Sequence, residues 1–266
     1  MNPPASRTLS VYRTDAAGIL ADDDVLAEET PVALVYNGIS HAVLMATPAD
    51  LEALALGFSL SEGILERPSE LYAVETETVC NGIEVRMDIA AARFLALKER
   101  RRSMSGRTGC GLCGIDSLAA VKPEVRPVMR GRKIRFADVQ TALSSFDAYQ
   151  PLRSETGSVH GAAWVAGGRI VCAFEDVGRH NALDKLIGHG VKNGFDFTQG
   201  FALVSSRASY EMVMKAAAAG IGCLTAVSAP TALAVRLAEE AGMTLIGFAK
   251  PQKFTVYSGQ EFVEAV

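Results

Sequence analysis

Between Val159 and Phe248 the chain runs as a hairpin followed by helix and strand in alternation, an order that few folds accept. Val159 to Val165 and Arg169 to Phe174 are apolar runs on either side of Gly167-Gly168, which supplies the positive φ of a tight turn. Helical patterns follow at Arg179 to Gly188, Ser209 to Ala219 and Thr231 to Ala241. Short apolar strands at Gly200 to Ser205, Cys223 to Ser228 and Thr244 to Phe248 alternate with them. Strands joined by helical crossovers lie parallel. This half is therefore expected to be a layered α/β domain whose hairpin meets later, parallel strands in a mixed sheet.

Upstream the pattern is that of a smaller α+β part. Val32 to Tyr36 and Ile39 to Met45 flank the hairpin turn Asn37-Gly38. Thr47-Pro48 has the form of a helix start, leading into Leu51, Leu54, Ala55, Phe58 and Leu60 and closing near Gly63. Ser69 to Cys80 and Glu84 to Ile89 form a strand pair around Asn81-Gly82, and Ala91 to Met104 a helix with cations at its end. The expected organisation is a loosely held extension over 1–29, an α+β domain over 30–104, a glycine-rich loop and linker over 105–135, and the α/β domain over 136–266. With 266 residues, 49% of them hydrophobic and 21% charged, the chain can bury a core in each domain. A net charge of −4 argues against bulk attraction to nucleic acid or anionic lipid, and the Arg100 to Arg102 run lacks interleaved aromatics. The apolar runs are short and broken, and no secretory pattern opens the chain. Neither nucleic acid nor membrane is expected as a partner, and the location expected is cytoplasmic.

The five cysteines are Cys80, Cys110, Cys113, Cys172 and Cys223. An odd count without a secretory pattern points to a reducing compartment, where a close pair is catalytic or metal-binding more often than a staple. Cys110 and Cys113 stand in Ser105 to Gly114, which has four glycines in ten residues, too many for a helix or strand interior. Three chemistries are open to such a pair. A structural zinc site needs four ligands, and only one Cys-x-x-Cys is present, with Cys80, Cys172, Cys223 and His160 scattered. A thioredoxin-like pair opens a helix directly after a strand, whereas this pair follows a charged helix. A sulfur carrier needs a thiolate, room for a bulky donor and freedom to swing; Arg107 favours the thiolate and the glycines supply the freedom. Cys80, Cys172 and Cys223 lie in apolar runs and are expected to be buried fillers.

Five segments are distinctive together: Arg107 to Gly114, Thr156 to Trp164, Glu175 to Lys185, Ser205 to Met212, and Gly247 to Lys253 leading to Tyr257. Pro31 to Gly38 and Gly57 to Gly63 accompany them. In these segments the chain resembles the formate dehydrogenase accessory sulfurtransferase family (FdhD/NarQ), from Pro31 to Gly259. The resemblance implies a fold related to the cytidine deaminases, a three-layer α/β domain, and a cytoplasmic homodimer. It also implies a sulfurtransferase that accepts sulfur from a cysteine desulfurase as a cysteine persulfide. The sulfur goes to the molybdenum cofactor, bis-molybdopterin guanine dinucleotide, for formate dehydrogenase; that cofactor is bound as cargo, and no permanent cofactor or metal is expected. By position, Cys110 is the persulfide-bearing cysteine and Cys113 a second cysteine in relay or resolution. Phe248, Ala249, Lys250, Pro251, Gln252 and Lys253 correspond to the cofactor-binding stretch. The chain departs from the family at Lys250-Pro251, where many members carry Arg-Gly.

Apart from the resemblance, Lys250 and Lys253 lie just past a strand end. Ser205, Ser206 and Arg207 follow another strand and precede a helix, and Arg179-His180 opens a helix after the strand ending near Asp176. In α/β domains ligands sit outside the carboxyl edge of the sheet and anions at helix N-termini, so Ser205, Arg207 and His180 join the expected cofactor-binding set. Plainer readings make Asp176 and Ser209 helix caps and His160 and Trp164 core residues. A non-catalytic cofactor chaperone would need the same pocket and competes with the sulfurtransferase. A zinc deaminase does not, because Ala162 stands two residues after His160 where that chemistry needs an acid, and the Cys-x-x-Cys lies upstream of it.

Overall fold

The computed structural model describes residues 3–104 and 124–264, apart from the side chains of 101–104. Arg107, Cys110 and Cys113 therefore lie outside the described residues.

The first element departs from expectation. β1 (Ser6–Asp15) and β2 (Gly18–Ala27) form an antiparallel hairpin where a loosely held extension was expected. The acidic run belongs to β2, with Asp22 and Asp24 facing Arg13 across the ladder at 2.5 and 3.2 Å. Cross-strand charge pairing of this kind supports a ladder without the apolar alternation that usually marks one.

β3 (Thr30–Tyr36) and β4 (Ile39–Ala46) turn at Asn37 and Gly38, both with positive φ (46° and 79°), as that dipeptide favours. With β5 (Leu71–Val79) and β6 (Gly82–Ile89) they make a four-stranded sheet in the order β4-β3-β6-β5. Helix α1 (Leu51–Ser61) packs Leu54 and Ala55 against Leu34, Ile83, Val85 and Met87, all buried, and α2 (Ala91–Met104) follows β6.

The larger part begins with β7 (Ile134–Arg135), α3 (Phe136–Phe146) and the short α4 (Pro151–Thr156). β8 (His160–Ala166) and β9 (Arg169–Asp176) form the expected hairpin. After it come α5 (Arg179–Lys192), β10 (Gly200–Val204), α6 (Tyr210–Ala218), β11 (Cys223–Ala226), α7 (Ala232–Ala241), β12 (Thr244–Lys250), β13 (Lys253–Ser258) and β14 (Val263–Glu264). Six strands order as β13-β12-β11-β10-β8-β9, with β10, β11 and β12 parallel and β8 and β13 antiparallel to their neighbours. One core, including Leu183, Leu186, Met212 and Leu237, lies under α5, α6 and α7. Another, including Val139, Ala142, Phe146, Phe201 and Ile246, lies under α3 on the opposite face. The chain is thus α/β in three layers, as expected. The sequence reading leaves α3 and β13 unassigned. No helix among the described residues is long and apolar enough to cross a membrane.

The two parts meet where α1 crosses α5. A Cβ at Gly57 would overlap the carbonyl oxygen of Asp184, and one at Gly188 the carbonyl oxygen of Ala53, so both crossing points require glycine. Beside the crossing, Thr47 does not cap α1 as expected; the N-cap is Asp50, without a side-chain cap bond. Thr47 is instead spent on the junction. Its N–H donates to Asp176 (3.1 Å), its hydroxyl accepts from the Val177 N–H (3.2 Å), and its carbonyl accepts from Lys185 Nζ (3.2 Å). Asp176 and Lys185, each wholly buried, pair at 2.7 Å. Gly188→Ala is expected to destabilise the fold by about 3 kcal/mol, the upper range for overpacking, because the obstacle is backbone that cannot rotate away. Urea unfolding that leaves the midpoint unchanged would contradict this reading of the crossing.

Candidate functional site

The carboxyl ends of the parallel strands converge on one edge of the six-stranded sheet. Backbone hydrogen bonds lace that edge beyond the strands: Val227 N–H to Val204 O (3.0 Å), Ser228 N–H to Ser206 O (3.4 Å) and Phe248 N–H to Ser228 O (3.1 Å). Because β8 runs antiparallel to β10, it begins at this edge, where His160 pairs with Asp176 at the end of β9. Residues far apart in sequence are thus set side by side by strand direction alone.

The expected residues divide along the edge. Ser205 is tied into the sheet: its N–H donates to Gly161 O and its hydroxyl accepts from the Gly161 N–H, both at 2.9 Å. Arg207 is exposed, with no carboxylate in ion-pair range among the described residues. Phe248 stands 45% exposed in the left-handed region (φ 49°), unusual for an aromatic residue and forced by a bulge between Gly247 and Lys250. Ala249 points into the core, so only its backbone is available to a ligand. Pro251 and Gln252 make the β12–β13 turn, with Gln252 at φ 70° and its N–H donating to Gln140 Oε1 (2.5 Å). Phe248, Lys250, Lys253, Phe254 and Thr255 line a cleft of about 240 Å³. An exposed ring beside two lysines without carboxylate partners among the described residues offers stacking for a base and charge for a phosphate.

His180 lies elsewhere on the edge, in a cavity of about 580 Å³ between the two parts of the chain. One wall is a charged network: Lys215 Nζ contacts Asp184 (2.9 Å), Glu62 (2.8 Å) and Ser61 (3.0 Å), and Ser61 bonds Asp184 (2.7 Å). Burial works against the Lys215 ammonium, but Asp184 and Glu62 outweigh it and hold its pKa above the ordinary lysine value. The opposite wall carries His180, Tyr210 and Glu211, with Leu44, Phe58 and Met214 between. His180 Nε2 lies 3.1 Å from the Glu211 carboxylate. Burial, and then the Arg179 guanidinium, push His180 below the usual histidine range, partly offset by Glu211. His160 is only half-buried, at the strand start rather than in the core. Burial, then Arg179 and Arg153, lower its pKa, so two guanidinium groups stand close to this stretch of the edge.

Sequence reasoning missed Glu211, which lay inside a distinctive segment, and Lys215, which lay just beyond it; neither gave a sign of which neighbour it meets. Asp176 serves the start of α5 and the junction together: it accepts from Gly178 N–H (2.8 Å) and Asn181 Nδ2 (2.9 Å) as well as from Thr47.

The cysteines differ from expectation in one case. Cys223 is buried and Cys172 half-buried, but Cys80 is exposed, because the β5–β6 turn is Cys80-Asn81, with Val79 paired to Gly82. Burial pushes Cys172 up to about 11 and Cys223 up to about 12. Among the described residues no group of three or more His, Cys, Asp or Glu side chains is placed to hold a metal ion.

A family model for FdhD/NarQ matches residues 27–264. The chain belongs to the FdhD/NarQ family. A relative from Cupriavidus necator, named sulfur carrier protein FdhD, is 52% identical over 257 residues, covering 96% of this chain and 89% of its own. A crystal structure from Desulfotalea psychrophila, described as that of a candidate formate dehydrogenase accessory protein, superposes with a TM-score of 0.77. It covers 98% of this chain and 100% of its own at 23% identity, and shares the fold.

The thiol pKa values make a separate prediction. Cys172 and Cys223 stay protonated at pH 7.5, so iodoacetamide on the native protein is expected to modify exposed Cys80 well before either. Peptide mass spectrometry showing Cys223 alkylated as fast as Cys80 would contradict the burial argument.

Proposed function

We propose that this chain is a sulfur carrier that takes sulfur from a cysteine desulfurase as a persulfide on Cys110. It delivers that sulfur to a molybdenum cofactor, bound as cargo, for formate dehydrogenase. One observation carries the reading: both flanks of the dicysteine segment attach at the end of α1, on the rim of the larger cavity. Before the segment, Arg100 donates to Glu62 O (2.9 Å); after it, the Arg126 guanidinium lies beside Gly63. Glu62 and Arg100 both line the cavity that reaches His180 and Glu211. Cys110 is ten positions along the chain from Arg100, so chain length alone keeps the sulfur within roughly 35 Å of that rim. The name of the half-identical relative supports sulfur carriage. The exposed Phe248 with Lys250 and Lys253 supports a nucleotide end for the cargo.

In this reading the Cys110 thiolate attacks the terminal sulfur of the donor persulfide. The S–S bond of the donor breaks, its cysteine leaves as thiolate, and Cys110 holds the sulfane sulfur. Release to a metal as sulfide requires two electrons. Cys113 supplies them as it attacks the Cys110 sulfur, forming a Cys110–Cys113 disulfide and expelling sulfide; a dithiol reductant then restores both thiols. The cargo guanine end rests on Phe248, with Lys250 and Lys253 on its phosphates.

Incubation with a desulfurase and cysteine is expected to add one sulfane sulfur to Cys110, and Cys110→Ala to abolish it. Mass spectrometry finding no added sulfur on the wild type, or undiminished labelling of the variant, overturns the carrier reading. Lys250→Ala is expected to weaken GDP binding about tenfold, the loss of one charge-assisted contact; an unchanged Kd in calorimetry removes Lys250 from the site.

A further inference from the structure

We propose that the β1–β2 hairpin is the arm with which this chain docks the protein that receives its cargo, and that the arm fits a cationic surface there. The proposal rests on the reading of the chain as a carrier of a phosphate-bearing cofactor and adds where the recipient binds. β1 and β2 pair over ten residues each, from Ser6 with Ala27 to Asp15 with Gly18. The arm is therefore roughly 34 Å long. No third strand joins either of its edges among the described residues. A two-stranded sheet is marginal in water unless another surface covers it. The outer half of this one turns apolar side chains to solvent: Tyr12 is 78% exposed, Leu20 70% and Ile19 68%. Tyr12 pairs with Ala21 and Thr14 with Ile19, which sets Tyr12 and Ile19 on one face of the tip. An aromatic and a β-branched side chain bared together on a projecting arm have the character of interface anchors.

Charge says what covers the arm. Residues 1–29 hold two arginines against four aspartates and two glutamates, a balance of −4. That equals the formal charge of the entire chain, so residues 30–266 are neutral in sum. A second copy offers either a like-charged arm or a body without net charge, and nucleic acid or an anionic membrane is repelled. A cationic protein surface is attracted. The base of the arm says which protein. Glu28 N–H donates to Ala5 O at 2.8 Å and closes the ladder, and Ser6 Oγ reaches the Glu155 carboxylate of α4 at 3.5 Å. α4 is fixed in turn to the end of β9, where Glu175 accepts from the N–H groups of Leu152 (3.0 Å) and Arg153 (2.7 Å). Hence the arm is rooted at the sheet edge that carries His160 and the candidate cargo site. A pocket that takes in a phosphate-bearing cofactor needs cations around its mouth. An acidic arm beside the outgoing cargo complements that mouth.

Interferometry of the full chain against cofactor-free formate dehydrogenase tests the arm. Tyr12→Ser combined with Ile19→Ser is expected to weaken the complex about tenfold or more, the loss of an aromatic anchor. Asp22→Asn, Asp23→Asn and Asp24→Asn together are expected to weaken it as much at low salt and to flatten its salt dependence. The tip substitutions replace exposed side chains, so the melting temperature of the body should match the parent, and this variant decides if the aspartate variant loses the hairpin. Both variants are expected to accept sulfur from the desulfurase as the parent does. No binding by the parent, unchanged affinity in the tip variant, or affinity that does not fall with salt each overturns the proposal. A loss confined to sulfur labelling overturns it by assigning the arm to the desulfurase, and a loss confined to self-association by assigning it to a second copy. Formate dehydrogenase binding that depends on the arm, alongside failed sulfur labelling of the parent, would leave the arm standing and sink only the carrier reading.

Discussion

The buried Asp176–Lys185 pair holds the molecule in its working shape. Both groups are wholly buried at 2.7 Å from each other, and Thr47 of the smaller part satisfies one hydrogen-bonding position on each. Removing either partner of such a pair leaves an uncompensated charge, at a cost of about 3–5 kcal/mol. The pair therefore fixes the β4–α1 corner against α5, and the two glycines at the crossing let the helices close to backbone contact. From this follows the position of the α1 end, where Ser61 and Glu62 meet Lys215 of α6. The larger cavity and the attachment of both flanks of the dicysteine segment depend on that meeting.

The sheet supplies the other constraint. Three parallel strands deliver their following loops to one edge, and the antiparallel β8 brings His160 to the same place from the opposite direction. Neighbouring strands lie about 4.8 Å apart, so Arg207 after β10 and Phe248 on β12 are separated by roughly 10 Å. Along the edge stand cations with no carboxylate in ion-pair range among the described residues, whereas Lys185 and Lys215 inside the domain junction are engaged by carboxylates. That contrast distinguishes Lys250, Lys253 and Arg207 from Lys185 and Lys215.

Much of the fold was legible because its signals are local. Asn37-Gly38 and Gly167-Gly168 state their turns outright, and the alternation from Arg179 to Phe248 follows from strands buried on both faces between amphipathic helices. Long-range choices were not legible. Nothing near Thr47 reveals that it will serve Asp176, 129 residues away, rather than cap α1. The β1–β2 hairpin was hidden because its cross-strand partners are charges, and Cys80 was misplaced by a one-residue shift in a turn. At the candidate site, strand ends pointed correctly to the edge on which Ser205, Arg207, His180 and Lys250 lie. The engagement of Ser205 with Gly161 depends on contacts between segments, which no single stretch of sequence displays.

The central claim is that sulfur taken up by this chain leaves it for a cofactor held by the same molecule. The most direct measurement charges the protein with radiolabelled sulfane sulfur, removes the donor, and adds molybdenum cofactor in a single-turnover transfer. The account predicts that label passes to the cofactor while a Cys110–Cys113 disulfide forms in equal amount. Label that stays on the protein, or that moves without the disulfide appearing, would contradict it.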